Sequence, residues 1–317
     1  MDSVALRAAP NEAMRGVHTM SSQIFLNGEF VERDDAKLSV FDHGLLYGDG
    51  IFEGIRVYDG NVFKLAEHIR RLYDSAKSIL LDIPYTQDEM CELVCETVRR
   101  NALTGAYIRL VVTRGPGDLG ISPYICKGAQ VFIIAEQLSM FPQKLYEEGI
   151  TAVTAATRRN RTDALNPKIK SLNYLNNVLI KIEAQAAGAN EAIVLNTEGY
   201  VVEGSGENIF IVRDNVLYTP PAYLGALEGI TRATIIELAH ELGYVVKEEP
   251  FTRHDVYVAD EVFLTGTAAE LVPVVEVDKR VVADGHPGPV TKALHQAFQQ
   301  CTRHVGMKVY SKEEAIS

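Results

Sequence analysis

Residues 203–210 read Glu203-Gly204-Ser205-Gly206-Glu207-Asn208-Ile209-Phe210, and further along the chain stands Leu227-Glu228-Gly229-Ile230-Thr231-Arg232. In the first stretch the glycines let the backbone come close to a flat ligand, and a carboxylate at a strand end can meet a ring nitrogen. The residues alone leave Glu203 open between a ligand and an ordinary turn residue. In the second stretch Gly229 leads into a helix. Amides exposed at a helix N-terminus beside the Thr231 hydroxyl make an anion site, unless they serve only as a cap. A third stretch, Thr265-Gly266-Thr267-Ala268-Ala269-Glu270, has the capping-box form of a threonine followed three residues later by a glutamate. It is expected to open a helix just after a strand, as a plain cap or as a second phosphate donor.

Working outward, hydrophobic periodicity predicts strands over 191–196, 199–203, 207–213 and 216–218, a helix over 231–242, and strands over 244–247 and 261–265. A last helix is expected over 287–304. Upstream, a strand over 150–156 leads to the arginine-rich loop of Arg158, Arg159 and Arg161 and to Asn166-Pro167-Lys168-Ile169-Lys170-Ser171-Leu172-Asn173-Tyr174. A helix over 171–187 carries Leu172, Leu175, Leu179 and Ile182 on one stripe and stops at Gly188. Lys170 thus stands at a predicted helix mouth. A lysine stripped of water there can lose its proton and attack a carbonyl carbon, which makes it a candidate Schiff-base residue. The alternative is that Lys168 and Lys170 merely extend a solvated basic loop.

The N-terminal half begins with Asn27-Gly28, a strong hairpin signal between 24–26 and 29–31. A glycine-punctuated loop from Asp42 to Gly50 precedes a strand over 51–58. Helices follow over 65–81 and 87–101, then strands over 107–113 and 129–135. The pattern is α+β. The expected division is a disordered tail (1–22), a small α+β domain (23–136), a linker (137–149) and a larger domain (150–317), and Met14 and Met20 are alternative starts. Gly115-Pro116-Gly117-Asp118-Leu119-Gly120 has the spacing of a dinucleotide fingerprint. Pro123 follows too soon, no helical pattern opens and no acidic residue closes the unit, so it reads as a turn-rich loop.

With 317 residues, 47% hydrophobic and 23% charged, the chain has the composition of a globular protein able to bury two cores. A formal net charge of −11 disfavours nucleic acid and anionic membranes as partners. Residues 1–20 lack a signal-peptide core, and no run is long enough to span a membrane. Four scattered cysteines without a CxxC pair, and no histidines at ligand spacing, point to a reducing, cytoplasmic setting and to no metal.

Glu203-x-Ser205-x-x-Asn208-Ile209-Phe210, Leu217-x-Thr219 and Leu227-x-Gly229-Ile230-x-Arg232 resemble the class IV aminotransferase signature at every required position. Asp42 to Arg56, with Tyr107-Ile108-Arg109, resembles the branched-chain amino acid aminotransferases, and the likeness runs from about Gln23 to His304. The resemblance implies a two-domain fold-type IV enzyme, a small α+β domain beside a larger pseudo-barrel α/β domain. Its reaction would be transamination between L-leucine, L-isoleucine or L-valine and 2-oxoglutarate, in branched-chain amino acid biosynthesis, with pyridoxal 5'-phosphate as cofactor. Lys170 would carry the cofactor and shuttle the α-proton, Glu203 would pair with the pyridine nitrogen, and Tyr174 with the phenolic oxygen. Arg71, Ile230, Thr231 and Thr267 would hold the phosphate, beside Leu227 and Gly229. Phe52, Gly54, Tyr107 and Arg109 would form the substrate pocket, with the amides of Thr267 and Ala268 on the α-carboxylate. Family members form dimers and borrow residues across the interface, here matching Tyr47 and Ile121. One departure stands out: many bacterial branched-chain enzymes carry one more residue between lysine and tyrosine. The shorter Lys170–Tyr174 spacing also occurs in D-amino acid enzymes of the class, which, with aminodeoxychorismate lyases, remain the alternative.

Overall fold

The computed structural model describes residues 22–137 and 141–310; the expected tail lies, except for Ser22, outside the described residues. A hairpin opens the fold, β1 (Gln23–Leu26) and β2 (Glu29–Glu32), turned by Asn27 and Gly28 at positive φ. The short helix α1 (His43–Tyr47) then leads to β3 (Gly50–Tyr58) and β4 (Asn61–Phe63). Two amphipathic helices follow, α2 (Leu65–Ser78) and α3 (Gln87–Arg100), and then β5 (Ala106–Thr113) and β6 (Gln130–Glu136). Helix α4 (Gln143–Glu148) and β7 (Ile150–Thr154) precede α5 (Leu175–Ala186). Strands β8 (Glu191–Leu195), β9 (Val201–Glu203), β10 (Asn208–Arg213) and β11 (Val216–Thr219) come next. The remainder is α6 (Ile230–Glu241), β12 (Val245–Glu248), α7 (Arg253–Tyr257), β13 (Glu261–Gly266), β14 (Glu270–Val277), β15 (Arg280–Val281), α8 (Pro289–Cys301) and β16 (Gly306–Lys308).

Two sheets organise these elements, an α+β architecture as the pattern predicts. The first has seven strands in the order β16-β4-β3-β5-β6-β1-β2, all paired antiparallel. Helices α2 and α3 cover it, with Ile69, Leu72, Val94 and Val98 among the buried side chains. The second has nine strands, β12-β11-β10-β13-β14-β7-β8-β9 with β15 beside β14, and is mixed. The tight turn 204–207, closed by the Gly204 amide on the Glu207 carbonyl at 2.6 Å, brings β9 back beside β10 and curls this sheet. Helices α6 and α8 pack on it around Phe210, Phe263 and Phe298. Residues 306–308 return to the first sheet through β16 and β4, so that sheet draws on both ends of the chain.

Three expectations need correction. The helix over 171–187 begins only at Leu175. Residues 170–172 instead run along β3: the Phe52 amide donates to the Lys170 carbonyl and the Leu172 amide to the Gly50 carbonyl, both at 2.9 Å. Lys170 is therefore held in an extended segment stitched to the first sheet. The capping-box stretch 265–270 opens no helix either. It is the turn between β13 and β14, with Gly266 paired to Glu270 and Glu270 itself at φ +57°. The strand partner across the turn outweighs the local pattern. Finally, the loop from Asp42 contains α1, capped by the Asp42 carboxylate on the Gly44 amide at 2.7 Å. The dinucleotide-like stretch 115–120 is a loop, as read, with no helix opening from it.

Candidate active site

A cavity of about 260 Å³ opens where β3 and β5 meet α2, the α6 N-terminus and the β13–β14 turn. Phe52, Gly54, Arg71, Tyr107, Arg109, Lys170, Tyr174, Leu227, Gly229, Ile230, Thr231, Thr267 and Ala268 all line it, and were all singled out in the sequence. Alternation along β5 puts Tyr107 and Arg109 on one face. Gly54 gives the Tyr107 ring its place, since a Cβ would lie 2.2 Å from the Tyr107 hydroxyl. Arg109 donates to that hydroxyl at 3.0 Å and stacks on Phe52 at 4.5 Å.

Lys170 Nζ reaches Tyr174 Oη at 3.0 Å and lies 4.6 Å from the centre of the Phe52 ring. The Lys170 amide donates to Ser75 Oγ of α2 at 3.2 Å, which anchors the segment a second time. Three residues separate the lysine from the tyrosine with no helical turn between them, because α5 starts beyond Tyr174. The short spacing is thus compatible with direct contact.

Glu203 sits at the end of β9, buried, and opens into a smaller cavity of about 40 Å³. Tyr174, Gly206 and Leu227 line both cavities, so Glu203 stands behind the main one and not within it. Its carboxylate pairs with Arg159 at 2.8 Å and accepts from the Leu227 amide at 3.1 Å. Burial raises its pKa above the usual carboxylate value, and Arg159, the Leu227 amide and Lys170 oppose the rise without cancelling it. Asn208 ties the two signature stretches together, donating to the Leu227 carbonyl at 2.9 Å and to Glu203 at 3.4 Å. Gly229 leaves room for this, since a Cβ there would meet Asn208 Oδ1 at 2.0 Å.

At the opposite end, α6 begins at Ile230 with no side-chain cap on its first amides. Arg71 crosses from α2 and donates to the Glu228 carbonyl at 2.8 Å. Thr265 Oγ1, on a residue that lines the cavity, is buried without a partner. A helix N-terminus, a guanidinium and unengaged polar groups converge here, as a dianion requires. Only one helix N-terminus contributes, since 265–270 is a strand turn.

Tyr47 and Ile121 do not line this cavity. Tyr47 is 40% exposed and Ile121 86% exposed. The Gly120 amide donates to Tyr47 Oη at 3.0 Å, which brings the two residues together at the surface. Sequence reasoning missed Arg159, read as part of a solvated loop but only 4% exposed, and Glu53, buried against Arg71. Arg159 carries no local signal, because its partner lies on another strand.

Residues 50–277 match the sequence model of the family described as amino-transferase class IV. A putative branched-chain-amino-acid aminotransferase of Methanocaldococcus jannaschii is 57% identical over 290 residues, 92% of this chain and 100% of the relative. The branched-chain-amino-acid aminotransferase of Escherichia coli K12 is 43% identical over 286 residues, 87% of this chain and 91% of that one. The solved Escherichia coli branched-chain amino acid aminotransferase superposes with a TM-score of 0.86 at 42% identity, covering 88% of this chain and 93% of that one. A solved T.th. branched-chain amino acid aminotransferase complexed with N-(5'-phosphopyridoxyl)-L-glutamate gives 0.84 at 41% identity, covering 89% and 94%. With that match and these relatives, the chain belongs to the class IV amino-transferases.

Proposed function

We propose that the protein is a branched-chain amino acid aminotransferase, exchanging the amino group of L-leucine, L-isoleucine or L-valine with 2-oxoglutarate. The observation that carries this reading is Lys170 Nζ, held at Tyr174 Oη in a cavity with an anion-receiving end and an apolar, arginine-capped wall. The residues fit pyridoxal 5'-phosphate. The uncapped α6 amides and the unpartnered Thr265 hydroxyl suit its phosphate, and the Glu203 carboxylate behind Tyr174 suits a ring nitrogen. When bound, the cofactor supplies an aldehyde for the lysine and an electron sink for the substrate.

In this reading Lys170 Nζ moves a proton to and from the substrate α-carbon, and Tyr174 Oη orients that amine. Glu203 pairs with a ring nitrogen and favours its protonated form, with Arg159 favouring the carboxylate against the burial that raises its pKa. Arg71, Thr267 and the amides of Ile230 and Thr231 take the phosphate, and the Thr267 and Ala268 amides the substrate α-carboxylate. Phe52, Gly54 and Tyr107 wall the side-chain space, and Arg109 meets the second carboxylate of glutamate at its rim. The amino group is held on the enzyme between substrates, a ping-pong scheme.

Several wider assignments belong to the same reading. The two sheets are the cores of domains 23–136 and 150–317, joined through 137–149, with residues 306–308 completing the smaller one. The stripe Leu175, Val178, Leu179 and Ile182 on α5 is exposed, as are Leu45, Leu119 and Ile121. Apolar area of this kind suits a homodimer, with Tyr47 and Ile121 serving the site of a second copy. The cysteines are free, and among the described residues no helix is long and apolar enough to cross a membrane. The cytoplasm is the compartment proposed.

The test is a visible-range titration of the purified protein with L-leucine, L-glutamate and D-alanine in turn. The two L-amino acids are expected to convert the lysine-bound chromophore and D-alanine to leave it unchanged. A response to D-alanine alone would move the assignment to the D-amino acid branch of the class. Lys170→Ala is expected to fold and to lose turnover by at least about 10³-fold, the scale of a positioned general base. Sizeable turnover in that variant would return Lys170 to the solvated loop.

A further inference from the structure

Strand β3 passes the cavity with Phe52 and Gly54 on its lining, and alternation turns the residue between them, Glu53, the other way toward α2. There Glu53 is 0% exposed and both carboxylate oxygens are engaged. Arg71 grips it as a fork, Nε to Oε1 at 2.8 Å and Nη2 to Oε2 at 2.7 Å. His68, one helical turn before Arg71 on the same face of α2, pairs through Nδ1 with Oε2 at 2.8 Å. Burial lowers the His68 pKa and outweighs the pull of Glu53. Arg71 Nη1 meanwhile donates to the Glu228 carbonyl at 2.8 Å, just ahead of α6.

Three of the five guanidinium N–H groups are thereby committed, and one on each Nη is left over. Arg71 lines the cavity beside Gly229, Ile230 and Thr231, so the spare edge stands by the α6 amides. A buried ion pair of this kind is no better for stability than well-packed apolar residues. A stability role alone therefore does not account for it. Glu53 also offsets the charge that Arg71 would otherwise show to an anion, which opposes binding unless orientation matters more.

We infer that Glu53, with His68 behind it, is a positioning residue that fixes the Arg71 guanidinium with its free edge turned toward a phosphate at the α6 N-terminus. This rests on the reading of Arg71 as a phosphate ligand. Orientation and charge then predict opposite outcomes. If position dominates, removing the carboxylate weakens the hold on a phosphate ester. If charge dominates, removing it tightens that hold.

The experiment uses the full-length protein cleared of cofactor and titrated with pyridoxal phosphate and, separately, with pyridoxal, which has the same aldehyde and no phosphate. Absorbance of the lysine adduct gives both affinities, and their ratio isolates the phosphate contribution. Glu53→Gln is expected to lower that ratio about tenfold, the scale of one charge-assisted hydrogen bond, with pyridoxal affinity itself within about twofold of wild type. Glu53→Asp keeps the charge and draws the fork back by one methylene, and it too is expected to lower the ratio. It decides the matter if Glu53→Gln does not fold. Arg71→Gln should lower the ratio by at least as much. An unchanged ratio in Arg71→Gln would remove the phosphate reading of Arg71. A lowered ratio there, with an unchanged or raised ratio in the Glu53 variants, would overturn the positioning role alone.

Discussion

Two buried arginine–glutamate pairs flank the cavity, and they are built differently. Arg71–Glu53 has side chains 14% and 0% exposed, and Arg159–Glu203 3% and 8%. In the first pair the arginine faces the cavity and the glutamate stands behind it. In the second both side chains line the smaller cavity beside Tyr174, and the arginine reaches the glutamate from the loop after β7. The electrostatics differ accordingly. Burial would raise the Glu53 pKa, but Arg71 and His68 override it and hold the carboxyl at about 2. Glu203 has one guanidinium nitrogen at 2.8 Å, the Leu227 amide at 3.1 Å and the Asn208 side-chain amide at 3.4 Å, and burial wins. The same two residue types thus give a carboxyl held low in one place and one raised by burial in the other, and a forked guanidinium in the first pair against a single guanidinium nitrogen in the second accounts for the difference.

Arg159→Met breaks the comparison most severely. It leaves Glu203 buried without its counter-charge, and removal of one partner from such a pair costs about 3–5 kcal/mol. Urea unfolding should show a loss of that size, with partial recovery in Arg159→Met/Glu203→Gln, where no unpaired carboxylate remains. A loss below about 1 kcal/mol would mean that Arg159 is a solvated loop residue after all.

The pH dependence of stability sharpens the contrast through its sign. Glu53 has a lowered pKa, so its contribution is complete above the usual 4.5 and is lost as the pH falls through about 2. A shift of that size is worth about 3 kcal/mol. Glu203 has a raised pKa, so its contribution is present below 4.5 and is lost as the pH rises through the folded value. The stability difference between wild type and Glu53→Gln should therefore grow with rising pH, and that between wild type and Glu203→Gln should shrink. Unfolding curves between pH 2 and pH 7 measure both. Parallel trends would show that the two carboxylates are equivalent.

Glu203→Gln should slow the first half-reaction while leaving the cofactor bound. An amide does not stabilise a protonated ring nitrogen as a carboxylate does, and the loss of a charge-assisted bond, about 1.5–3 kcal/mol, is roughly 10–150-fold in rate. Single-turnover rates equal to wild type would make Glu203 a turn residue only.

A third arginine completes the series. Among the described residues no carboxylate lies within ion-pair distance of Arg109, which instead contacts Phe52 and Tyr107. Its charge is therefore free for a substrate carboxylate, which must not be buried unpaired. Arg109→Met should harm the glutamate half-reaction more than the leucine half-reaction, by about 2 kcal/mol or roughly thirtyfold. Stopped-flow measurement of each half-reaction on one preparation tests this. Equal losses would assign Arg109 to the α-carboxylate or the sheet edge.

Much of this site was legible because its signals are local. Lys170, Tyr174, Glu203, Asn208 and Gly229 sit in short motifs whose residue types imply their chemistry, and alternation alone puts Tyr107 beside Arg109. The capping-box stretch misled for the same reason. Thr265 to Glu270 carries a helix-start pattern, but its partners are β-strand neighbours, and pairing of β13 with β14 sets its backbone. The apolar stripe on α5 was legible as a stripe and silent about direction: Ile180 and Ala184 face inward while Leu175 and Ile182 face out.

By itself, then, the sequence determined the α+β order of elements, the class of cofactor that its motifs resemble and the candidate for the reacting lysine, all properties of neighbouring residues. Tertiary structure decided what stands behind those residues. Glu53 reaches Arg71 from a strand to a helix, Arg159 reaches Glu203 from a loop to a strand, and Lys170 is held extended because β3 supplies its hydrogen bonds. Each of these depends on which segments the packing brings into contact. Hydrogen bonds and buried charges are satisfied by whatever lies nearest in space, and no periodicity in the chain encodes that distance.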